Sequence, residues 1–132
     1  MLQMALSCAM PEPKKPQLSV DEEMLMSALK QSGEYEKVGV FGETTFYNST
    51  ENSSLKIVLM NPYKEPVNYE ARYALARKAA LLTINSIDNK TDYDYINVEF
   101  LVVQKNGVSS HGVKQKVIFT LDELKSFRRE SL

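Results

Sequence analysis

The side chains that most often carry out catalysis are scarce in this sequence. His111 is the only histidine, and the nearest nucleophiles are Ser109 and Ser110. A catalytic histidine needs a nucleophile or a carboxylate held against it, and a lone histidine in a Gly/Ser-rich segment is more often a turn residue. The sequence contains no phosphate-binding loop, nucleophile elbow, zinc-protease motif or dinucleotide fingerprint. We therefore predict a non-catalytic protein, with a small hydrolase-like enzyme as the least favoured alternative.

Metal, cofactor and nucleic-acid sites have no better support. One cysteine and one histidine are too few for a Cys/His metal site. The cluster of Asp88, Asp92 and Asp94 lacks the glycine and the terminal glutamate of a calcium-binding EF-hand loop. The 132 residues include 16 Lys+Arg and 17 Asp+Glu, so the formal net charge of −1 gives no strong positive field for DNA or RNA. We predict no metal, no cofactor and no nucleic-acid partner.

The single cysteine stands at the start of a distinctive segment. Small and apolar residues precede it in Ala5-Leu6-Ser7-Cys8, and Pro11, Pro13 and Pro16 follow with two lysines among them. Closely spaced prolines favour an extended chain that forms neither helix nor sheet. We therefore predict a leader remnant and Pro-rich tether over residues 1–18 and a single domain over residues 19–132.

The residues around Cys8 resemble the lipobox of bacterial lipoproteins, in which the leader is cut before a cysteine that then receives a lipid. Ala5 stands where leucine is commonest, and the seven preceding residues are short for a leader. With its tether, the layout is similar to small uncharacterised envelope lipoproteins of bacteria, especially Bacteroidota. This resemblance implies a membrane-tethered protein of the cell envelope, lipidated on Cys8, and it names no partner. The tether, the near-neutral charge and the missing catalytic constellation lead us to predict docking on another envelope or outer-membrane protein. The other interpretation is an ordinary cysteine in a tail.

Hydrophobic periodicity predicts an α+β domain in the order α-β-β-α-β-β-α. Capping boxes at Ser19 with Glu22 and at Thr120 with Glu123 predict the starts of the first and last helices. An apolar stripe predicts a long central helix over about residues 67–87. Two strands on each side of this helix predict two hairpins, and hence an antiparallel four-stranded sheet with the helices packed on one face. Polar residues 109–112 predict a second hairpin connection longer than two residues.

Tyr63, Tyr69, Tyr93 and Tyr95 bracket the central helix at its two ends. Tyrosine provides a rigid contact area with a polar tip, so these four are candidate partner-binding residues. The alternative is that such tyrosines belong to the core. Together these features predict a non-catalytic, lipid-tethered accessory or binding module that docks on another protein through its sheet or its tyrosine-rich end. A soluble inhibitor or immunity-type binding protein of the cytoplasm is the alternative.

Overall fold

The computed structural model describes the backbone of residues 12–47, 49–106 and 109–130. A short 3-10 turn at Lys90–Asp92 precedes the third strand. The main elements in chain order are α1 (Glu22–Gly33), β1 (Tyr35–Tyr47), β2 (Thr50–Pro62), α2 (Tyr69–Ile84), β3 (Tyr95–Asn106), β4 (Ser109–Thr120) and α3 (Leu121–Glu130).

The four strands form one mixed sheet in the order β1-β2-β3-β4. The β1–β2 and β3–β4 pairs are antiparallel, whereas the central pair, β2 and β3, is parallel. The predicted α+β class with a four-stranded sheet is confirmed, but the prediction of a purely antiparallel sheet is wrong. The connection through α2 brings the chain back to the end of the sheet at which β2 began, so β3 runs in the same direction as β2.

The helices pack on one face of the sheet, as the sequence predicted. Alternate residues of the strands are buried on that face, and the alanines of α2 allow this helix to lie close to them. The strand residues of this core are Tyr35, Leu55, Ile57, Leu59, Ile96, Val98, Phe100, Val117 and Phe119, and the helix residues are Leu25, Leu29, Ala76, Ala79, Ala80, Ile84 and Leu124. Ile87 and Tyr93, from the connection between α2 and β3, complete it.

The two predicted capping boxes have different outcomes. At the start of α3, Glu123 N–H donates to Thr120 Oγ1 at 3.1 Å and Thr120 N–H donates to Glu123 Oε1 at 3.1 Å, which confirms that box. The box at Ser19 is wrong, because α1 begins only at Glu22 and has no side-chain cap. The Ser19 N–H instead donates to the Ser86 carbonyl at 2.8 Å.

The second hairpin is tighter than predicted. Asn106 pairs with Ser109, so only two residues separate β3 from β4, and the segment predicted as a longer connection belongs to β4. The antiparallel ladder supplies partners for the backbone of this polar segment, which its composition alone does not suggest. The backbone of His111 pairs with Gln104 in this ladder. Its side chain is not among those that the structure describes.

A segment that we call the strap, residues 14–19, is hydrogen-bonded to the folded domain. Tyr93 Oη donates to the Lys14 carbonyl at 2.8 Å, and Asn89 Nδ2 donates to the Lys15 carbonyl at 2.9 Å. Asn89 also accepts, through Oδ1, from the Gln17 N–H at 2.8 Å. One asparagine side chain therefore holds the strap by both its amide and its carbonyl.

The strap continues along the connection between α2 and β3. The Asp88 N–H donates to the Gln17 carbonyl at 2.7 Å, and Leu18 forms an antiparallel bridge with Ile87. The part of the predicted tether from Lys14 onward is therefore bound to the domain, which extends the folded unit in front of residue 19. Cys8 and the rest of residues 1–11 lie outside the described residues.

The strap crosses β1 at Gly42. A Cβ atom at this position would overlap the carbonyl oxygen of Lys14, a backbone atom that cannot rotate away as a side chain could. Glycine is required here by the close approach of two backbones.

Gly42→Ala is expected to displace the strap and to lower the free energy of unfolding by about 1–3 kcal/mol. Urea denaturation measures this loss, and hydrogen exchange should show faster exchange of the Gln17 and Asp88 amides. Gly112→Ala is the control, because its Cβ would lie 3.7 Å from Leu101 Cδ1, an ordinary contact. Equal effects of the two substitutions would contradict the packing of the strap on Gly42.

Candidate partner-binding surfaces

Two of the four candidate tyrosines, Tyr93 and Tyr95, make contacts that stabilise the fold. Tyr93 is 2% exposed, and its hydroxyl holds the strap through Lys14. Burial raises the pKa of Tyr93, and the neighbouring Asn89 side chain opposes this with a smaller effect. Tyr95 is half-buried, and its hydroxyl lies 3.1 Å from Thr45 Oγ1, a contact that reaches from β3 across β2 to β1.

Tyr63 and Tyr69 lie in an exposed segment, residues 63–69, that we call the tyrosine loop. Tyr63 is 79% exposed, Tyr69 60% and Val67 90%. Both ends of the loop are held by hydrogen bonds: the Tyr63 N–H donates to the Glu34 carbonyl at 3.0 Å, and Asn68 Oδ1 caps α2 by accepting from the Ala71 N–H at 2.8 Å. This cap was not predicted from the sequence, although asparagine is a favoured N-cap residue, and neither was the exposure of Val67.

The four tyrosines do not form one surface. Tyr95 stands beside Ser54 at the start of the parallel pair, and Tyr93 lies just before it. Tyr63 comes nine residues after Ser54, beyond the other end of β2, which is a distance of about 30 Å along an extended strand. Tyr63 and Tyr69 thus lie at one end of the sheet, and Tyr93 and Tyr95 lie at the other.

The side of the sheet opposite the helices, which we call the open face, carries a regular array of side chains. Strand register aligns these residues in four rows, which we number from the end nearest the tyrosine loop. From β1 to β4 the rows are Lys37, Met60, Leu101 and Lys114; then Gly39, Val58, Glu99 and Lys116; then Phe41, Lys56, Asn97 and Ile118; and then Glu43, Ser54, Tyr95 and Thr120. Phe41 and Ile118 are 54% and 55% exposed.

Charges alternate in sign across all four strands of the open face. Lys56 Nζ lies 3.0 Å from Glu99 Oε2 and 3.6 Å from Glu43 Oε2. Lys114 Nζ lies 3.2 Å from Glu99 Oε1. The resulting series from β1 to β4 is Glu43, Lys56, Glu99 and Lys114. We call it the charge row, although it runs obliquely to the rows set by register.

Glu99 is the buried centre of the charge row, with 3% of its side chain exposed. Burial by itself would raise the pKa of Glu99, but the hydrogen bond and charge of Lys56, followed by those of Lys114, outweigh it, so the pKa lies below its usual value of 4.5. The hydrogen bond to Glu99 raises the pKa of Lys56. Glu99 and Lys56 therefore hold each other in their charged forms.

Other buried polar atoms lie beside the charge row. Ser54 Oγ and Asn97 Oδ1 are buried and have no hydrogen-bond partner among the described residues. Glu99 Oε1 differs from these two atoms, because it faces the Lys114 ammonium group at 3.2 Å. A buried acceptor without a partner costs about 1–3 kcal/mol. The central strands thus bury polar atoms on a face where the outer strands carry exposed apolar ones.

The described part of the chain shows no group of three or more His, Cys, Asp or Glu side chains placed to bind a metal ion. Among its helices none has the length and apolar character needed to cross a membrane. Comparisons of the chain with protein-family models, with curated proteins and with solved structures found no match.

Glu99→Gln is expected to lower the free energy of unfolding at pH 7 by about 1–3 kcal/mol, because Lys56 and Lys114 lose their shared carboxylate. Urea denaturation at several pH values measures it. The lowered pKa of Glu99 adds stability above about pH 4.5, and this is lost as the pH falls through the pKa of the folded state. The variant should therefore lose less stability than the parent below pH 4.5.

Glu43→Gln is the matched control, because this carboxylate is 38% exposed and lies 3.6 Å from Lys56. It should cost at most about 1 kcal/mol. A larger loss for Glu43→Gln than for Glu99→Gln would contradict the central position of Glu99 in the charge row.

Proposed function

We propose that this protein is a non-catalytic binding module that docks on another protein through the tyrosine loop. The observation that carries the proposal is the exposure of Tyr63, Val67 and Tyr69, at 79%, 90% and 60%, within seven residues. Large apolar side chains grouped on a surface are characteristic of protein interaction sites, and tyrosines often dominate binding energy there.

The anchoring of the tyrosine loop supports the same proposal. The hydrogen bonds from Tyr63 to Glu34 and from Ala71 to Asn68 hold the loop at its two ends. A segment already held in place loses less conformational entropy when a partner binds. The three exposed side chains therefore belong to a segment whose two ends are already fixed.

The proposal includes attachment to the bacterial cell envelope through a lipid on Cys8, with another envelope or outer-membrane protein as the partner. Cys8 precedes Lys14, the first residue of the strap, by six positions. Six residues span at most about 20 Å. The Lys14 end of the strap contacts Gly42 and Tyr93, at the end of the sheet opposite the tyrosine loop. A lipid on Cys8 would thus keep the domain near the bilayer, with the loop at the far end.

We expect Cys8→Ser to move the protein from the membrane fraction to the soluble fraction of the native host. Intact-mass measurement of the parent should show loss of residues 1–7 and addition of acyl chains. Ser7→Thr, which keeps the cysteine, is the control and should remain in the membrane fraction. If the unsubstituted protein keeps residues 1–7 and carries no lipid on Cys8, the proposed attachment to the envelope is contradicted. That result would favour a soluble inhibitor or immunity-type protein of the cytoplasm.

Docking through the loop can be tested with a photo-crosslinking residue placed at Val67 and, as a control, at Lys78, an exposed position on α2. Only the Val67 position should give a discrete adduct in the native host. Tyr63→Ala with Tyr69→Ala should remove that adduct and weaken binding of the purified partner at least tenfold. The melting temperature should change little, because both side chains are exposed. An adduct that persists in the double variant would refute docking through this loop.

A further inference from the structure

The open face carries a positive charge that its own carboxylates do not balance. Its rows contain four lysines and two glutamates, whereas the whole chain has a net charge of −1. Lys37 on β1 and Lys116 on β4 are exposed and form no ion pair with any carboxylate of the described residues. Lys114 contacts Glu99, yet 52% of its side chain remains exposed. The two outer strands thus present lysines on both sides of the face.

Apolar side chains lie between these lysines. Met60 and Leu101 stand side by side in the first row, and Val58 follows in the second. The Phe41 ring covers Gly39, since a Cβ on Gly39 would lie 2.8 Å from its carbons. The first two rows therefore combine an apolar centre with lysines at their edges.

The central strands add a reason to expect a cover over this face. Parallel strands are usually buried on both sides, whereas antiparallel sheets often leave one side in water. The parallel pair of β2 and β3 is covered by helices on one side, and on the other side its apolar residues Val58, Met60 and Leu101 are only half-buried. On the flanking strands Phe41 and Ile118 are more than half exposed. An occupant of the open face would complete the layer that the parallel pair ordinarily has.

The shape and charge of the face limit the chemistry of the occupant. A single extended segment laid on Met60 and Leu101 would leave backbone N–H and C=O groups unpaired against apolar atoms, whereas a helix satisfies its own backbone. The outer strands β1 and β4 are about 14 Å apart, and a helix with its side chains is about 10–12 Å wide. A helix lying along the strands would therefore place its two flanks beside the lysines.

We propose that the open face binds an amphipathic helix of a partner protein, with an apolar stripe that packs on Val58, Met60 and Leu101 and carboxylates along both flanks that pair with Lys37 and Lys116. The first three rows span about 13 Å, which corresponds to about nine helical residues. This surface is distinct from the tyrosine loop, and the inference does not depend on docking through that loop.

The test uses the full chain and two synthetic 18-residue peptides. The first has leucine at the a and d positions of a helical heptad and glutamate at the flanking positions, and its twin has lysine in place of every glutamate. Methyl and amide chemical shifts of the isotope-labelled protein report where each peptide binds. We expect the acidic peptide to perturb Val58, Leu101 and Ile118, with an affinity that weakens as salt increases, and the basic twin to cause no saturable shifts.

Paired charge reversals make the test specific to this face. Lys37→Glu with Lys116→Glu should weaken binding of the acidic peptide at least tenfold. Lys78→Glu with Lys125→Glu makes the same change in net charge at exposed positions on α2 and α3, and should change the affinity less than twofold. Val67→Asp in the tyrosine loop should leave this binding unchanged, so that failure of either proposal can be told apart from failure of the other.

Four outcomes of the peptide and vesicle experiments would overturn the inference. They are no binding at millimolar peptide, equal binding of the two peptides, equal losses in the two charge-reversed pairs, and shifts caused by anionic phosphatidylglycerol vesicles but not by the peptide. Concentration-dependent shifts of the same residues in protein alone would assign the face to a second copy of this chain and would also overturn it.

Discussion

The parallel pairing of β2 with β3 is the constraint on which the rest of the arrangement depends. Two neighbouring parallel strands require a connection that crosses the sheet from one end to the other, and α2 provides it. The crossing covers one face, where α1 and α3 join it in a common core. The two ends of this connection lie at opposite ends of the sheet. The tyrosine loop lies where β2 ends, and the region around Asn89, which binds the strap, lies where β3 begins.

The ion pairs of Glu99 determine which lysines of the open face are available to a partner. A carboxylate in the second row of a central strand is buried by its neighbours, and it remains ionised because Lys56 and Lys114 both lie within 3.2 Å of its oxygens. Removing either lysine would leave charge in a poorly solvated position. The pairings also commit Lys56 and one contact of Lys114 to the fold, so that Lys37 and Lys116 are the lysines with charge available to a partner.

Much of the local structure could be predicted from the sequence, because it depends on neighbours along the chain. The alternation around Val98 and Phe100, the alanine-rich stripe of α2 and the capping box of Thr120 all express local periodicity or local hydrogen bonding. The direction of β3 could not be predicted in this way, since alternation is the same in parallel and antiparallel strands. The strap was missed for a related reason: proline spacing describes an extended backbone and does not show that Asn89 will bind it.

The candidate surfaces were harder to predict than the fold. The tyrosines near α2 could be counted in the sequence, but whether each is buried depends on distant contacts, such as that of the Tyr93 hydroxyl with Lys14. The open face depends on register, because residues such as Lys37 and Lys114 share a row only when all four strands are aligned. A shift of one residue in any strand would move its side chains to the other face. Neither the pairing nor its register can be obtained from one strand alone.

Because of this register, the two ends of the open face carry different kinds of side chain. The fourth row, Glu43 to Thr120, lies at the end where the strap begins, and it contains hydroxyl groups and a carboxylate. The first row, with Met60, Leu101 and two lysines, lies at the end from which β2 leads into the tyrosine loop. The unpaired lysines, Lys37 in the first row and Lys116 in the second, therefore lie toward the end farther from Lys14.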